Sequence, residues 1–155
     1  MSNEITFNIS GLTELSAKIK EVETNIARSA ARAGVKAGAE VMEKAARANA
    51  DRIDDPETPN RIADNITTIT RWQSKDGTMT GSVGVIGGAM YKRGQKQQDR
   101  TSTTYFRFVE FGTRYAPARP FLRPAMAENG GEILSAVVNK MNQTIDKKIT
   151  MLPKK

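Results

Sequence analysis

Glu110 is the residue whose neighbours in the sequence most strongly suggest a chemical role. It is a lone carboxylate among four arginines, Arg107, Arg114, Arg119 and Arg123. A carboxylate can act as a general acid or base, but that chemistry needs a second carboxylate or a nucleophile close by. Neither accompanies Glu110 in the sequence. The favoured chemistry is therefore a salt bridge with arginine, either buried within the chain or across an interface.

The composition excludes most other reactive sites. Cysteine is absent, which excludes disulfides and thiolate metal sites, and so is histidine, the commonest general base near neutral pH. Asp54, Asp55 and Glu57 could bind a hard cation, but their spacing matches no calcium-loop pattern and favours a solvated loop. We therefore predict no catalytic, cofactor-binding or metal-binding residues and no enzyme activity.

The segment 105–125 combines aromatic rings, arginines and prolines. It holds six of the nine aromatic residues, and its prolines, Pro117, Pro120 and Pro124, are too closely spaced for an ordinary helix. This mixture is typical of a rigid, partly buried turn that is anchored by its rings and presents arginines to a partner. We predict a subunit or partner interface that includes Glu110, Phe111, Arg114, Arg119, Phe121 and Arg123.

Positive charge is concentrated in one part of the chain. Residues 91–123 carry eight basic and two acidic side chains, a net charge of +6, whereas the whole chain carries +7. Such a field suits an acidic protein surface or nucleic-acid phosphates. The basic residues Lys92, Arg93, Lys96 and Arg100 could therefore grip DNA, but a solubilising loop or a loop that folds on a protein partner fits them equally well.

The elements that would position these residues begin with a long helical pattern. An alternating strand at residues 5–9 is followed by apolar residues at helical spacing, and small residues continue the stripe to about residue 50. Gly34 and Gly38 lie beside that stripe and permit close backbone approach. The pattern predicts one helix, or two collinear helices with a weak point near Gly34.

The second half of the chain predicts a hairpin and a closing helix. Ser102 or Thr103 could cap a short helix that stops at Gly112, although a strand over 105–111 fits nearly as well. Before this helix, the sequence predicts a surface loop at 51–65 and two strands, over 66–72 and 79–86, joined by a turn at 75–77. A mobile basic loop follows at 87–104. The last predicted elements are a helix from about Pro120 and a frayed tail at 150–155.

These elements predict one α+β domain over residues 1–155, with a long N-terminal helix and a C-terminal helix packed on a small, mainly antiparallel sheet. No run of about 18 apolar residues could cross a membrane. The N-terminus has no basic start and no apolar core of a signal peptide. We therefore expect synthesis in a cytoplasm and no membrane partner.

The block 108–113, Phe-Val-Glu-Phe-Gly-Thr, and the block 116–125, Ala-Pro-Ala-Arg-Pro-Phe-Leu-Arg-Pro-Ala, resemble a known signature. It is that of the tail-completion or head–tail joining proteins of long-tailed double-stranded-DNA phages, a group related to the minor tail protein Z. The predicted order of elements is also similar to that family. Two features depart from it: the loop 55–62 only approximates the family's Pro…Thr-Gly-x-Leu stretch, and the insertion at 87–104 is long and basic.

The resemblance implies a structural protein of the virion neck or tail, made in the cytoplasm of a bacterial host. Such a subunit would form a homo-oligomeric ring, six or twelve copies by phage symmetry, and could be a monomer before docking. Its partners would be the head connector, the tail tube or terminator proteins and, non-specifically, the DNA in the channel. The resemblance implies no cofactor. Glu110 of one subunit could pair there with Arg114 or Arg119 of the next.

A second interpretation comes from the charge alone. A small basic regulator could use residues 91–123 to bind the phosphates of DNA or RNA. It predicts tight binding to free duplex with a steep dependence on salt, whereas the assembly interpretation predicts weak, non-specific binding and concentration-dependent rings.

Overall fold

The computed structural model describes residues 12–21, 24–54, 61–86, 103 and 105–151. Within these ranges, four α-helices and a two-stranded antiparallel sheet confirm the α+β class. The predicted strand at 5–9, the loop at 87–104 apart from Thr103, and the last four residues of the predicted tail lie outside the described residues. The elements are α1 (Leu12–Glu21), α2 (Thr24–Asp51), a 3-10 helix (Ala63–Asn65), β1 (Ile66–Gln73), β2 (Thr78–Val85), α3 (Phe106–Phe111) and α4 (Leu122–Thr150).

Helix α2 runs without a break through both of its glycines, so the alternative of two collinear helices with a weak point near Gly34 is wrong. Gly34 and Gly38 are buried against α4. A Cβ atom on Gly34 would clash with Met141 and lie 2.9 Å from the carbonyl oxygen of Val137. The glycines therefore allow the two helices to approach closely, which offsets their poor helix propensity of about 1 kcal/mol each.

The hairpin forms where the sequence predicts it. Its turn covers residues 74–77, and Gly77 adopts a φ of 62°, a left-handed conformation that glycine accepts without strain. A Cβ atom on Gly81 of β2 would lie 2.8 Å from a methyl group of Val35, so this strand packs closely on α2. The backbone amide of Ile86 donates to the carbonyl of Asn65 at 2.8 Å and continues the pairing beyond β2.

The described residues group into two compact units, each with a hydrophobic core of its own. One comprises residues 12–21, 24–41, 69–82 and 129–151, and its core consists of Leu15, Ala30, Val138 and Ile145, with Ile19 and Met141 packed against them. The other comprises residues 42–54, 61–68, 83–86, 103 and 105–128, and its core consists of Ala46, Ala50, Ile62, Ala63, Ile66, Phe121 and Ala125. The single domain over 1–155 stays a prediction.

Candidate functional site

Helix α3 carries the carboxylate on which the sequence analysis began, so the helical alternative for residues 105–111 is confirmed. The predicted side-chain cap by Thr103 is wrong, because α3 begins after Tyr105 without a side-chain cap, and the hydroxyl of Thr103 donates to the carbonyl of Ile86 at 2.9 Å. The alternative cap, Ser102, lies outside the described residues. The backbone carbonyl of Thr103 instead accepts from the amide of Phe106 at 3.0 Å. The predicted stop at Gly112 is confirmed, since this residue ends α3 with a φ of 75°.

The turn after α3 is fixed by backbone hydrogen bonds and by the hydroxyl of Thr113. That hydroxyl accepts from the amides of Tyr115 and Ala116 at 3.1 and 3.0 Å, and the amide of Thr113 donates to the carbonyl of Ala116 at 2.8 Å. The amide of Arg119 donates to the carbonyl of Val109 at 2.8 Å and fixes the end of the turn to α3. The proline-rich segment is therefore an ordered turn, as the sequence predicts.

The carboxylate of Glu110 lies at the N-terminus of α4. It accepts hydrogen bonds from the backbone amides of Phe121, Leu122 and Arg123 at 2.7, 3.0 and 3.2 Å. These are amide groups that a helix start leaves without partners, and the positive end of the helix dipole favours a negative charge beside them. Glu110 is only 2% exposed, so it caps α4 from inside the protein.

Arg123 completes the environment of this carboxylate. Its Nε donates to the Glu110 carboxylate at 3.3 Å, and its Nη2 donates to the backbone carbonyl of the same residue at 2.9 Å. The predicted salt bridge of Glu110 with an arginine thus exists within one chain. Since Arg123 and three amides already occupy the carboxylate, it has little capacity left for an arginine of a neighbouring subunit.

Two opposing effects set the pKa of Glu110. Burial of the carboxyl by itself raises the pKa, because it disfavours the charged form. The hydrogen bonds from the backbone of Leu122, Phe121 and Arg123, together with that from the Arg123 side chain, outweigh this effect. The pKa of Glu110 therefore lies below its usual value, and the carboxylate is charged at neutral pH.

The six aromatic rings of the segment divide into buried and exposed sets. Phe121 is fully buried in the core, and Tyr105 and Phe106 are half-buried. Phe108, Phe111 and Tyr115 are 62%, 67% and 91% exposed. We call these three residues the aromatic surface. Large exposed rings grouped in one segment are a candidate interaction surface.

Arginines accompany the exposed rings. The guanidinium carbon of Arg123 lies 5.4 Å from the ring centroid of Phe111, and that of Arg114 lies 6.0 Å from the ring centroid of Tyr115. Arg119 is exposed as well. Within residues 105–128, neither Arg114 nor Arg119 makes an ion pair. Arg114 and Arg119 are thus exposed cations in the described part of this segment.

The structure thus separates the predicted interface residues by exposure. Phe111, which belongs to the aromatic surface, is exposed, as are Arg114, Arg119 and Arg123, whereas Glu110 and Phe121 are buried. The interface role of the six residues stays a prediction, and the burial of Glu110 and Phe121 leaves little of either side chain to contact a partner. The other predicted site residues, Lys92, Arg93, Lys96 and Arg100, lie outside the described residues.

Sequence reasoning missed two features of the surface. Phe108 is exposed and adjoins Phe111 at a helical spacing of three, although it was not predicted as an interface residue. Lys140, Lys147 and Lys148 share one face of α4, and the sequence analysis did not group these three residues. The spacing i, i+7 and i+8 is the signal that could have found this lysine face.

The described ranges hold neither a group of metal-binding side chains nor a membrane-spanning helix. In residues 12–21, 24–54, 61–86, 103 and 105–151, no three carboxylate, histidine or cysteine side chains are grouped so that they could hold a metal ion. None of the helices in those ranges combines the length and the hydropathy required of a membrane span.

A protein-family model described as "Bacteriophage HK97-gp10, putative tail-component" matches residues 13–112. The match runs from the first turn of α1 through the end of α3 at Gly112, and it includes Glu110 and two rings of the aromatic surface. Comparisons with curated proteins and with solved structures found no match. The matched region covers more than half of the chain and agrees with the resemblance seen in the sequence. The chain therefore belongs to the HK97-gp10 family of bacteriophage tail components.

Proposed function

We propose that this tail component is a ring-forming subunit that completes the tail and joins it to the head connector around the DNA channel. Six or twelve copies would form the ring, and the subunit would act without catalysis or a cofactor. Family membership supports a structural protein of a tailed phage. The observation that carries the finer proposal is the aromatic surface. Its rings lie on α3 and in the ordered turn after it, and α3 also carries the buried carboxylate of Glu110.

The chemistry of this surface suits contacts between proteins. Aromatic residues and arginine are enriched in the cores of interfaces, because rings bury a large area and the guanidinium group pairs with carboxylates in a fixed geometry. Glu110 fixes the start of α4 and orients Arg123, which lies over Phe111. The surface is therefore largely formed before a partner arrives, which reduces the entropic cost of association.

A head-to-tail contact between such subunits closes a ring when each copy is rotated by a fixed angle from the last. The aromatic surface would meet a different surface of the neighbouring subunit, and the arginines beside it favour an acidic one. The alternative of a nucleic-acid-binding regulator that uses residues 91–123 receives no support from the family match.

The proposal is tested by the solution mass of a variant in which Phe111 and Tyr115 are both changed to serine. Light scattering after size exclusion, over a range of protein concentrations, should give a ring-sized species for the wild type and a monomer for the variant. Ile69→Ser is the matched control, because Ile69 is 52% exposed on β1, outside the segment that carries the aromatic surface. This control should assemble like the wild type.

If the wild type is a monomer at every concentration, assembly requires docking, and incorporation into phage particles becomes the readout. Wild type and Ile69→Ser should then be incorporated, and the double variant should be excluded while its circular dichroism spectrum remains unchanged. Normal assembly and normal incorporation of the double variant would show that the aromatic surface is not the interface.

A further inference from the structure

The last turns of α4 carry a face of lysines that the proposed subunit contacts do not use. Lys140, Lys147 and Lys148 lie on one side of the helix, with Thr144 between them. All three lysines are exposed. They border an open concavity of about 610 Å³, whose described lining is Lys140, Gln143, Thr144, Lys147, Lys148 and Met151. We call this surface the lysine face.

The lysine face carries three positive charges, and the described residues contribute no carboxylate to its lining. None of the three lysines forms an ion pair with a described residue. Lysines in the last turn stabilise a helix through its dipole, which accounts for Lys147 and Lys148. Lys140 lies more than two turns before the end of α4, beyond the reach of that effect, so helix stability alone does not explain the face.

We infer that the lysine face binds the phosphate backbone of duplex DNA without sequence preference. Lys140 and Lys147 are separated by a rise of about 10 Å along the helix, and their flexible stems allow the ammonium groups to reach successive phosphates. The described lining contains no aromatic ring on which unpaired bases could stack, which favours duplex over single-stranded DNA. Lysine contacts to phosphate position a protein on DNA but do not read its sequence.

This inference rests on the proposed function in one respect, since the channel through the ring brings the DNA to the subunit. Binding itself is a property of the isolated chain. It can therefore be measured without assembly, and light scattering on the same samples reports assembly separately. Loss of rings with intact DNA binding would count against the proposed function alone.

The test is fluorescence anisotropy of a labelled duplex of arbitrary sequence, titrated with the full chain at several salt concentrations. The variant changes Lys140, Lys147 and Lys148 to glutamine, and the matched control changes Lys36, Lys44 and Lys75, which are also exposed, to glutamine. The two variants carry the same net charge. We expect wild type and control to bind weakly, with a dissociation constant of about 10⁻⁴ to 10⁻⁶ M.

The lysine-face variant should bind at least about tenfold more weakly at low salt. The slope of the logarithm of its affinity against the logarithm of salt should fall by about one for each lysine that contacts phosphate. A wild type that does not bind, a variant that binds normally, or equal losses in variant and control would each overturn the inference. So would loss of binding only when Lys92, Arg93, Lys96 and Arg100 are changed to glutamine, because the DNA contact would then lie in that segment.

Discussion

At the scale of single residues, the distant side chain of Glu110 supplies a helix cap that the residue before α4 cannot provide. The residue before α4 is Phe121, which cannot accept a hydrogen bond from the helix start as serine, threonine, aspartate or asparagine would. The carboxylate of Glu110, eleven positions earlier in the chain, accepts those hydrogen bonds instead. The start of α4 therefore depends on where α3 lies.

Glu110→Gln should lower the free energy of unfolding by about 1–3 kcal/mol, because a neutral amide oxygen accepts these hydrogen bonds more weakly than a carboxylate. Urea denaturation measures the change. Glu128→Gln is the matched control, since Glu128 is an exposed carboxylate on α4 that caps nothing in the described structure, and it should cost less than about 0.5 kcal/mol. Equal effects of the two substitutions would contradict the capping role.

The same pair of proteins should differ in its response to acid. The pKa of Glu110 is lower in the folded state than its ordinary value of 4.5, so its contribution to stability is fully present above that value. The contribution is lost as the pH falls through the folded pKa. The difference in stability between wild type and Glu110→Gln should therefore narrow below about pH 4.5, and a difference that stays constant with pH would contradict this assignment.

At the scale of elements, the glycines of α2 and α4 differ in what surrounds them. Gly34 is packed against Met141 and Val137, whereas a Cβ atom on Gly131 would meet nothing within 4 Å. Both glycines lie inside helices, where glycine is less favourable than alanine. Helix propensity alone predicts the same effect of an alanine substitution at both positions. The packing of α4 against Gly34 predicts different effects.

Gly34→Ala should destabilise the protein by about 1–3 kcal/mol, because the added methyl group forces a shift in the α2–α4 contact. Gly131→Ala should leave stability unchanged or raise it by up to about 1 kcal/mol, through better helix propensity. The midpoints of urea denaturation compare the two directly. If Gly34→Ala were as stable as Gly131→Ala, the close approach of the two helices would be wrong.

At the scale of the whole molecule, the described residues form two hydrophobic cores in a chain predicted to be one domain. Phe121 and Ile145 are each fully buried, one in each core. Substituting either with alanine should cost about 2–5 kcal/mol, because each substitution leaves a cavity. If both substitutions shift the same unfolding transition, the two cores are thermodynamically coupled.

A single domain predicts that Phe121→Ala and Ile145→Ala both shift the same cooperative transition. The measurement is thermal unfolding of each variant, followed by circular dichroism and by calorimetry. Coincident transitions in both variants would support one domain over residues 1–155. Two separate transitions, of which each variant shifts only one, would divide the chain into two domains.

The sequence by itself determined the α+β class, the hairpin turn ending in Gly77, the stop at Gly112 and the family. These features follow from local information, since periodicity sets the type of an element and glycine accepts backbone conformations that other residues avoid. The residues that indicate each element or turn lie within it or next to it in the sequence. For the same reason, sequence reasoning placed an element over residues 105–111 that ends before the prolines, but it left helix and strand open, and the structure selects the helix.

Only the tertiary structure determined which side chains are buried and which distant residues form hydrogen bonds with one another. Only the packing shows that Phe121 is buried while Tyr115 is exposed, and that the carboxylate of Glu110 caps α4 within its own chain. Burial and hydrogen-bond pairing between residues distant in sequence depend on how the elements pack, and residue type alone does not encode that. The sequence therefore located the segment that is proposed as an interface, and the fold determined which of its side chains are exposed.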